Sequence, residues 1–274
     1  MWKVNELYKS LLIFNLVIST SLINISHAET LKVCYDQWAP MTIFPTEEST
    51  KRGIVIDMLE QIYSSNGFDI EYHEVPLARG LDMVTDGYCD MLPEYIYLEN
   101  PDLGFVYATE KTFAYKTAFV TRIDDTWNYK GIESIKGRRI ATGPGWDYSS
   151  MSFNYQNYID DPTNADFIEV IAGYDDVVDR IFRMISENRV DLYADNELVL
   201  QHVLNHLNMH NKLKISRPGL EKDLVERPIF SKQIPLERRQ KLIKIWNEGR
   251  VSLQGPQQGP QQDEILKKYN VRLQ

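Results

Sequence analysis

The pattern of polar and apolar positions predicts alternating strands and helices in the first third of the chain. Two segments place their apolar residues three or four positions apart, as one face of a helix requires, and shorter segments that are apolar or strictly alternating separate them. The predicted strands are residues 31–35, 69–75 and 89–95, and the predicted helices are residues 53–67 and 76–87. Strand, helix, strand, helix, strand is the order typical of a parallel sheet flanked by helices.

The same order returns in the middle of the chain. Predicted strands at residues 138–142, 167–171 and 190–194 alternate with predicted helices that begin at Asp147, Tyr174 and Glu197. The two α/β units are joined near residues 119–122. The tail from Pro235 is helical again. Residues 254–262, a tandem Gln-Gly-Pro-Gln duplication, predict a mobile loop that interrupts this tail.

The first 28 residues indicate export. Lys3 and Lys9 give a basic start, residues 11–25 form an apolar stretch, and Ser26 and Ala28 are small residues at the positions that a signal peptidase reads. A membrane-spanning helix needs about 20 apolar residues, so this stretch is too short and too polar for a good anchor. We therefore expect a cleavable signal peptide, residues 1–28, cut after Ala28, and a soluble protein in the periplasm.

The length of the mature chain limits the number of domains. Removing 28 of the 274 residues leaves 246, enough for one large or two medium domains.

The net charge of the chain excludes one class of partner. The full chain has a net charge of −9, and removal of Lys3, Lys9 and Glu6 makes it −10. Such a surface repels phosphate backbones, which excludes nucleic acid as an expected partner. We expect a monomer.

The two cysteines leave two alternatives open. Cys34 and Cys89 both follow the predicted cleavage site, and an oxidising compartment permits a disulfide worth roughly 4 kcal/mol in the chain-entropy model. The alternative is a pair of buried free thiols that pack as small apolar residues. Cys34 is near the end of its strand and Cys89 at the start of its own, which argues against bonding geometry.

Several short motifs, in order, resemble a known family. Residues 36–40, Gly53 with Asp57, and Gly87 before Cys89-Asp90 resemble the first lobe of bacterial periplasmic solute-binding proteins of family 3, which serve polar amino-acid ABC transporters. Three later segments resemble that family's entry into the second lobe, its late strand and its terminal helix: residues 135–140, 188–195 and 265–269.

The resemblance implies a two-lobed α/β protein with the type II periplasmic-binding fold. Each lobe would be a mostly parallel sheet flanked by helices, and two crossing hinge segments would join the lobes. Residues 29–119 plus 220–274 would form lobe 1, and residues 120–219 would form lobe 2. The ligand would be trapped in the cleft between them.

Ligand-binding candidates follow the predicted strands. In open α/β sheets, ligands bind beyond the carboxyl ends of the strands, where helix N-termini point. From this rule and the resemblance, the expected ligand-binding residues are Asp36, Trp38, Arg79, Glu94, Tyr95, Tyr97, Gly145, Trp146, Asp147 and Asp195.

The resemblance assigns roles to some of these residues, and the chain departs from the family at two of them. Trp38 would cover the ligand side chain, Gly145 would hold a carboxylate at a helix N-terminus, and Asp195 would hold an α-ammonium group. Trp146 stands where the family has a hydroxyl residue. The family has an Arg just after the position of Tyr97, and this Arg grips the ligand's carboxylate with a forked, charge-assisted bond. Residues 98–102 of this chain contain no Arg.

The missing Arg favours a cationic or amine-bearing solute over an ordinary α-amino acid. Acids such as Asp36 would neutralise a cation, and aromatic faces such as Trp38 would attract it. Arg79 could reach the same cleft or lie solvated on the surface, and Asp147 could instead cap a helix. If an anion is bound, Gly145 at a helix N-terminus is the expected cradle.

No motif predicts metal or cofactor chemistry. His202, His206 and His210 are spaced along one helical face, but no acid or cysteine joins them in sequence, so a solvated face is favoured over a metal site. Nothing resembles a nucleophile elbow, a zinc-hydrolase helix, a P-loop or a dinucleotide loop. We therefore expect no catalytic residue, no metal and no cofactor.

The residue pattern and the resemblance together predict that the protein captures a small polar solute by lobe closure. The closed form would deliver the solute to an ABC permease in the inner membrane. One alternative is an enzyme on the same scaffold, similar to cyclohexadienyl dehydratase, although the missing Arg argues against carboxylate substrates. Another is a sensory partner that reports its ligand to a membrane receptor. The sequence does not identify the ligand.

Overall fold

The structure is a computed structural model that describes residues 28–99, 103–255 and 259–271. The predicted signal peptide lies outside these residues, apart from Ala28. Every helix within these ranges falls short of the length or the hydropathy that a membrane span requires.

In chain order the elements are β1 (Glu29–Tyr35), α1 (Ile54–Ser64), β2 (Phe68–Glu74), α2 (Leu77–Thr85), β3 (Met91–Ile96), β4 (Phe105–Tyr107), β5 (Phe113–Tyr115), β6 (Thr117–Arg122), β7 (Ile140–Thr142), α3 (Phe153–Asp160), β8 (Ile168–Val170), α4 (Val177–Ser186), β9 (Tyr193–Asn196), α5 (Glu197–His206), β10 (Leu213–Ser216), β11 (Leu224–Ser231), α6 (Leu236–Gln254) and α7 (Gly259–Lys268). Short 3-10 helices occupy Ile132–Ser134 and Pro162–Phe167. Most predicted elements lie within three residues of these bounds.

The strands form one large sheet and two small ones. The large sheet has the order β2-β1-β3-β11-β4, and β5 also pairs with β11. The two smaller sheets, β10-β6-β9 and β7-β8, come from the middle of the chain. We call the large sheet and its helices the first lobe, and the smaller sheets and their helices the second lobe.

Parallel pairing is confined to the strand–helix units. β1 pairs in parallel with β2 and β3, and β7 with β8. The pairs made by β6 and by β11 are antiparallel, and both strands adjoin the segments that cross between the lobes. The expectation of mostly parallel sheets therefore holds for the βαβ units and not for the crossing strands.

Two segments connect the lobes. The chain leaves the large sheet after Tyr115 and enters the second lobe at Thr117, so the first crossing lies before the predicted residues 119–122. It returns between Ser216 and Leu224. The two crossings touch: Leu220 N donates to Thr117 Oγ1 at 2.8 Å, and a Cβ on Gly219 would lie 2.0 Å from the Thr117 carbonyl oxygen.

The cysteines are joined. Cys34 and Cys89 form a disulfide with a Cα–Cα distance of 5.9 Å. The strand-register argument against it was wrong because Cys89 is not part of β3. It lies in the turn after α2, where its N–H donates to the Met83 carbonyl, and this turn carries it beside Cys34.

Two predicted boundaries were wrong. No helix begins at Asp147, because its Oδ1 accepts from Ser149 N at 2.7 Å and closes a local turn. Helix α3 begins six residues later, where Ser152 Oγ accepts from Tyr155 N and caps it. The predicted loop 254–262 is also shorter than expected, because α7 is already helical from Gly259.

Candidate functional site

A cavity of about 80 Å³ lies between the two lobes. The first lobe contributes Asp36 and Trp38 after β1, Glu94 and Tyr95 on β3, and Glu226 on β11. The second lobe contributes the turn after β7 and the strand β9, through Gly145, Trp146, Asp147, Tyr193 and Asp195. The cavity is therefore lined largely from strand ends, where ligands of open α/β sheets bind.

Eight of the ten candidate residues line this cavity: Asp36, Trp38, Glu94, Tyr95, Gly145, Trp146, Asp147 and Asp195. The other two lie elsewhere. Arg79 is exposed on α2 and is not a lining residue. Tyr97 packs on Tyr107 with ring centroids 5.2 Å apart, and the Arg227 guanidinium lies 4.4 Å from its ring centre.

The second-lobe wall carries an acid whose hydrogen bonds are made within the protein. Asp195 is 8% exposed. Its Oδ2 accepts from Trp38 Nε1 at 3.1 Å and from the Tyr193 hydroxyl, and its Oδ1 accepts from Asn196 N at 2.6 Å. Burial raises the pKa of Asp195 to about 6, although the bonds from Tyr193 and Trp38 act in the opposite direction.

The first-lobe wall carries acids that lack such partners. Glu94 and Glu226 are 4% and 7% exposed. Glu94 Oε1 accepts from Thr42 Oγ1 at 3.3 Å, but Oε2 of each glutamate is buried with no hydrogen-bond partner among the described residues. Such unsatisfied buried groups are uncommon in proteins, so these two oxygens are acceptors that a hydrogen-bond donor entering the cavity can reach.

Burial raises the pKa values of these acids, and their mutual repulsion adds to the effect. Burial raises the pKa of Glu226 to about 8; a hydrogen bond with Glu94 acts in the opposite direction, and the charges of Asp195 and Asp36 act in the same direction as burial. Burial, together with the charges of Glu226 and Asp36, raises the pKa of Glu94 well above its usual value. Burial and the charge of Asp195 raise the pKa of Asp36 to about 7.

Glu226 is the acidic lining residue that sequence reasoning missed, alongside uncharged ones such as Tyr193. It lies 132 positions after Glu94 and comes beside it only through the pairing of β11 with β3. One signal was present: Glu226 is a single acid within the mostly apolar segment Leu224-Val225-Glu226-Arg227-Pro228-Ile229-Phe230. An acid at a buried strand position is rarely there without a partner or a ligand.

Three contacts join the lobes around the cavity. The Trp38–Asp195 hydrogen bond crosses it directly. The Tyr174 hydroxyl donates to the Glu74 carbonyl oxygen at 3.0 Å, and its ring packs on Phe44. Gly145 approaches the start of α2 so closely that a Cβ would lie 3.3 Å from Ala78 Cα, at a φ of +81° that favours glycine. The structure is a closed form.

The arrangement does not provide the expected anion cradle. Gly145 is in a turn eight residues before α3, so no helix N-terminus points at the cavity from that position. The lining residues within the described ranges include no Lys, Arg or His. The same ranges contain no group of three or more His, Cys, Asp or Glu side chains placed to hold a metal ion, and His210 lies beyond the end of α5.

The sequence matches no family model and no curated protein, but the fold matches solved structures. A mutant of ArgBP from T. maritima is 15% identical with a TM-score of 0.68, over 88% of this chain and 94% of that one. A histidine kinase sensor domain with similarity to periplasmic binding proteins is 13% identical with a TM-score of 0.70, over 89% and 96%.

A third similar structure is an amino acid ABC transporter substrate-binding protein from Streptococcus pneumoniae bound to L-arginine. It is 14% identical with a TM-score of 0.67, over 88% of this chain and 94% of that one. At these identities the comparisons show the fold alone. The chain has the two-lobed α/β fold of type II periplasmic binding proteins, which confirms the predicted fold class.

Proposed function

We propose that the protein is an extracytoplasmic solute-binding protein that captures a small polar solute by closing its two lobes and delivers it to an ABC transporter. The predicted signal peptide places it in the periplasm. We assign residues 29–116 and the described residues from Leu224 onward to the first lobe, and residues 117–216 to the second lobe, with the crossings near Lys116 and at residues 217–223. Intact mass of the exported protein tests the cleavage after Ala28.

The observation that carries this proposal is a cavity whose walls come from both lobes and place buried acids among aromatic and aliphatic side chains. Acids from β3 and β11 face acids and aromatic rings from β9 and from the turn after β7. A solute in this cavity contacts both walls only when the lobes are closed. It therefore binds the closed form more tightly than the open form and shifts the population by that difference.

The structures that share this fold come from both transport and sensory proteins, so two kinds of membrane partner are compatible with solute capture. The similar structures include a substrate-binding protein of an amino acid ABC transporter and a histidine kinase sensor domain. Both activities rest on the same solute-driven closure. Capture of solubilised membrane proteins by the closed, solute-bound form distinguishes them, because a transporter partner is a permease and a sensing partner is a receptor or kinase.

A thermal-shift panel tests the proposed function. It includes basic, acidic and neutral amino acids, amines, quaternary amines, short peptides and sugars. A specific solute at 100 times its Kd adds about 2.7 kcal/mol to the free energy of unfolding and raises Tm by several degrees. If no member of this panel raises Tm, solute capture is not the function. Prephenate and arogenate, monitored for product, test the enzyme alternative.

A further inference from the structure

Glu94 and Glu226 are neighbours on one face of the large sheet. Glu226 pairs with Ile96 across the antiparallel ladder of β3 and β11. Glu94 lies two positions before Ile96, and side chains two positions apart on a strand share a face. Diagonal neighbours of this kind are within reach of long side chains. The pair therefore presents two carboxyl groups to the cavity from adjacent strands.

The pair has free hydrogen-bonding capacity, whereas the acid on the opposite wall has little. Glu94 and Glu226 are both more than nine-tenths buried, both line the cavity, and each has an Oε2 that accepts from no N–H or O–H donor in the described chain. Their carboxyl groups lie close enough to hydrogen-bond to each other, which requires a proton on one of the two. Asp195 already accepts from three donors. A donor that enters the cavity therefore finds its unmet acceptors on the first lobe.

We infer that the bound solute is a small organic amine that lacks a carboxylate, with its ammonium group seated on the Glu94–Glu226 pair. This inference rests on the proposed solute-binding function and deepens it. An ammonium group has three N–H donors and no acceptor, so it can satisfy Oε2 of both glutamates and one further acceptor such as Asp36. The aromatic faces of Trp38 and Trp146 line the same space and favour a cation.

The absence of a carboxylate follows from the charge of the walls. A carboxylate in this cavity would face Asp36, Glu94, Asp195 and Glu226, and the described lining residues include no cation to pair with it. Ionised Asp195 would repel this carboxylate and the other three acids would have to stay protonated beside it, whereas an ammonium group stabilises the acids as carboxylates. An α-amino acid places an ammonium and a carboxylate within a few ångströms of each other. It therefore fits the lining less well than the corresponding decarboxylated amine.

Size sets a second limit. The cavity is small, at about 80 Å³, so it favours a compact solute. 1,4-Diaminobutane and 1,5-diaminopentane are smaller than ornithine and lysine, which add a carboxylate.

Isothermal titration calorimetry with matched probes tests the inference. 1,4-Diaminobutane is compared with L-ornithine, and 1,5-diaminopentane with L-lysine, because each pair differs by one carboxylate. 1,5-Pentanediol controls for length without charge, and calcium chloride for a simple cation. We expect at least one amine to bind at least 10-fold more tightly than its amino acid and than the diol. Glu94→Gln and Glu226→Gln should each weaken amine binding at least 10-fold.

Glu48→Gln is the matched control, because Glu48 is exposed in the loop before α1 and the variant loses the same charge. It should bind the amine as the wild type does. Tighter binding of the amino acids, of the diol or of calcium overturns the amine inference, as does unchanged amine affinity in both glutamine variants. If amino acids or other panel solutes bind while the amines do not, solute capture stands and only the amine inference fails. The wild-type probe comparison decides the matter even if a glutamine variant fails to fold.

Discussion

The two walls of the cavity use acids in opposite ways. On the second-lobe wall, Asp195 is held by Trp38, Tyr193 and Asn196, so its charge is met by the protein itself. On the first-lobe wall, Glu94 and Glu226 are similarly buried, and Oε2 of each accepts from no donor among the described residues. In the proposed function this difference separates two tasks. The first lobe would hold the acceptors for a solute, and Asp195 on the second lobe would make the contact that closes the site.

The largest expected effect is the loss of stability when the Cys34–Cys89 disulfide, which joins β1 to the turn before β3, is removed. Cys34 follows the middle of β1 and Cys89 precedes β3, and they close a loop with a sequence separation of 55. The chain-entropy model gives a bond over such a loop about 4 kcal/mol of stabilisation. The Cys34→Ser/Cys89→Ser variant should lose roughly this much free energy of unfolding in urea denaturation.

Reduction provides the control. Dithiothreitol should destabilise the wild type and leave the double serine variant unchanged. The second lobe contains no cysteine, so its α3 and α4 should keep their hydrogen-exchange protection better than β1 and β3 do. A loss below about 1 kcal/mol would contradict a supporting role for this disulfide.

The second effect is a pH dependence of the solute-free protein. Glu226 faces Glu94 on β3, Asp36 after β1, Tyr115 on β5 and Asp195 on β9. Its pKa is about 8 in the folded protein and about 4.5 unfolded, so the folded state binds more protons between these values. The free energy of unfolding should therefore be highest near pH 5 and fall by a few kcal/mol toward pH 8.

Urea denaturation at pH 5 and pH 8 measures this fall. Glu226→Gln should reduce it, because glutamine does not titrate, and Glu48→Gln should leave it as in the wild type. A bound amine should also reverse the trend, since the carboxylates that destabilise the empty protein are the ones that an ammonium group pairs with. An equal fall in Glu226→Gln would show that Glu226 is not the titrating group.

The third prediction concerns the Trp38–Asp195 hydrogen bond, which joins the two lobes across the cavity. Trp38→Phe keeps an aromatic ring but removes the Nε1–H that donates to Asp195. A hydrogen bond to a charged group contributes about 1.5–3 kcal/mol, so the best solute should bind roughly 10-fold to 100-fold more weakly. Calorimetry measures the change.

Trp127→Phe is the matched control for this variant. It also removes an indole donor, to the Ser134 carbonyl, but outside the cavity. It should lower stability without weakening solute binding. If Trp38→Phe binds the solute as tightly as the wild type does, the bond across the cavity does not contribute to closure.

The regular elements were predictable because their signals are local. The strands and helices from β1 to β3 follow from alternation, helical stripes and terminal glycines within windows of about fifteen residues. Ser152 and Asp147 show where local reasoning fails. Both are residues that cap helices or close turns, and only the surrounding packing decides that Ser152 starts α3 while Asp147 closes a turn with Ser149.

The site was only half predictable for a related reason. Asp36 and Asp195 follow strands that the pattern reveals, so the rule for open sheets finds them. Glu226 depends on which strand pairs with β3, and that pairing joins segments 132 positions apart. For Arg79 the two alternatives stayed open because the sequence predicts its position on α2 but not the direction of its side chain, which the structure shows to be exposed.

The smallest expected effect concerns the second interlobe contact. Tyr174→Phe removes the exposed hydrogen bond that the Tyr174 hydroxyl donates to the Glu74 carbonyl oxygen across the lobes. An exposed hydrogen bond of this kind contributes about 0.5–1 kcal/mol to the closed form, so solute affinity should fall roughly two- to fivefold. Tyr88→Phe is the control, since Tyr88 is equally exposed, at 53%, and makes no contact between lobes. Equal affinities for both variants would limit the closing contacts to Trp38 and Gly145.

Small-angle X-ray scattering tests solute-driven closure most directly. The radius of gyration is measured without solute and with a saturating amount of the compound that gives the largest thermal shift, for the wild type and for Trp38→Phe. We expect a smaller radius for the wild type with the solute and a weaker response in Trp38→Phe at equal solute concentration. A wild-type radius that does not change when a tightly bound solute is added would contradict capture by lobe closure.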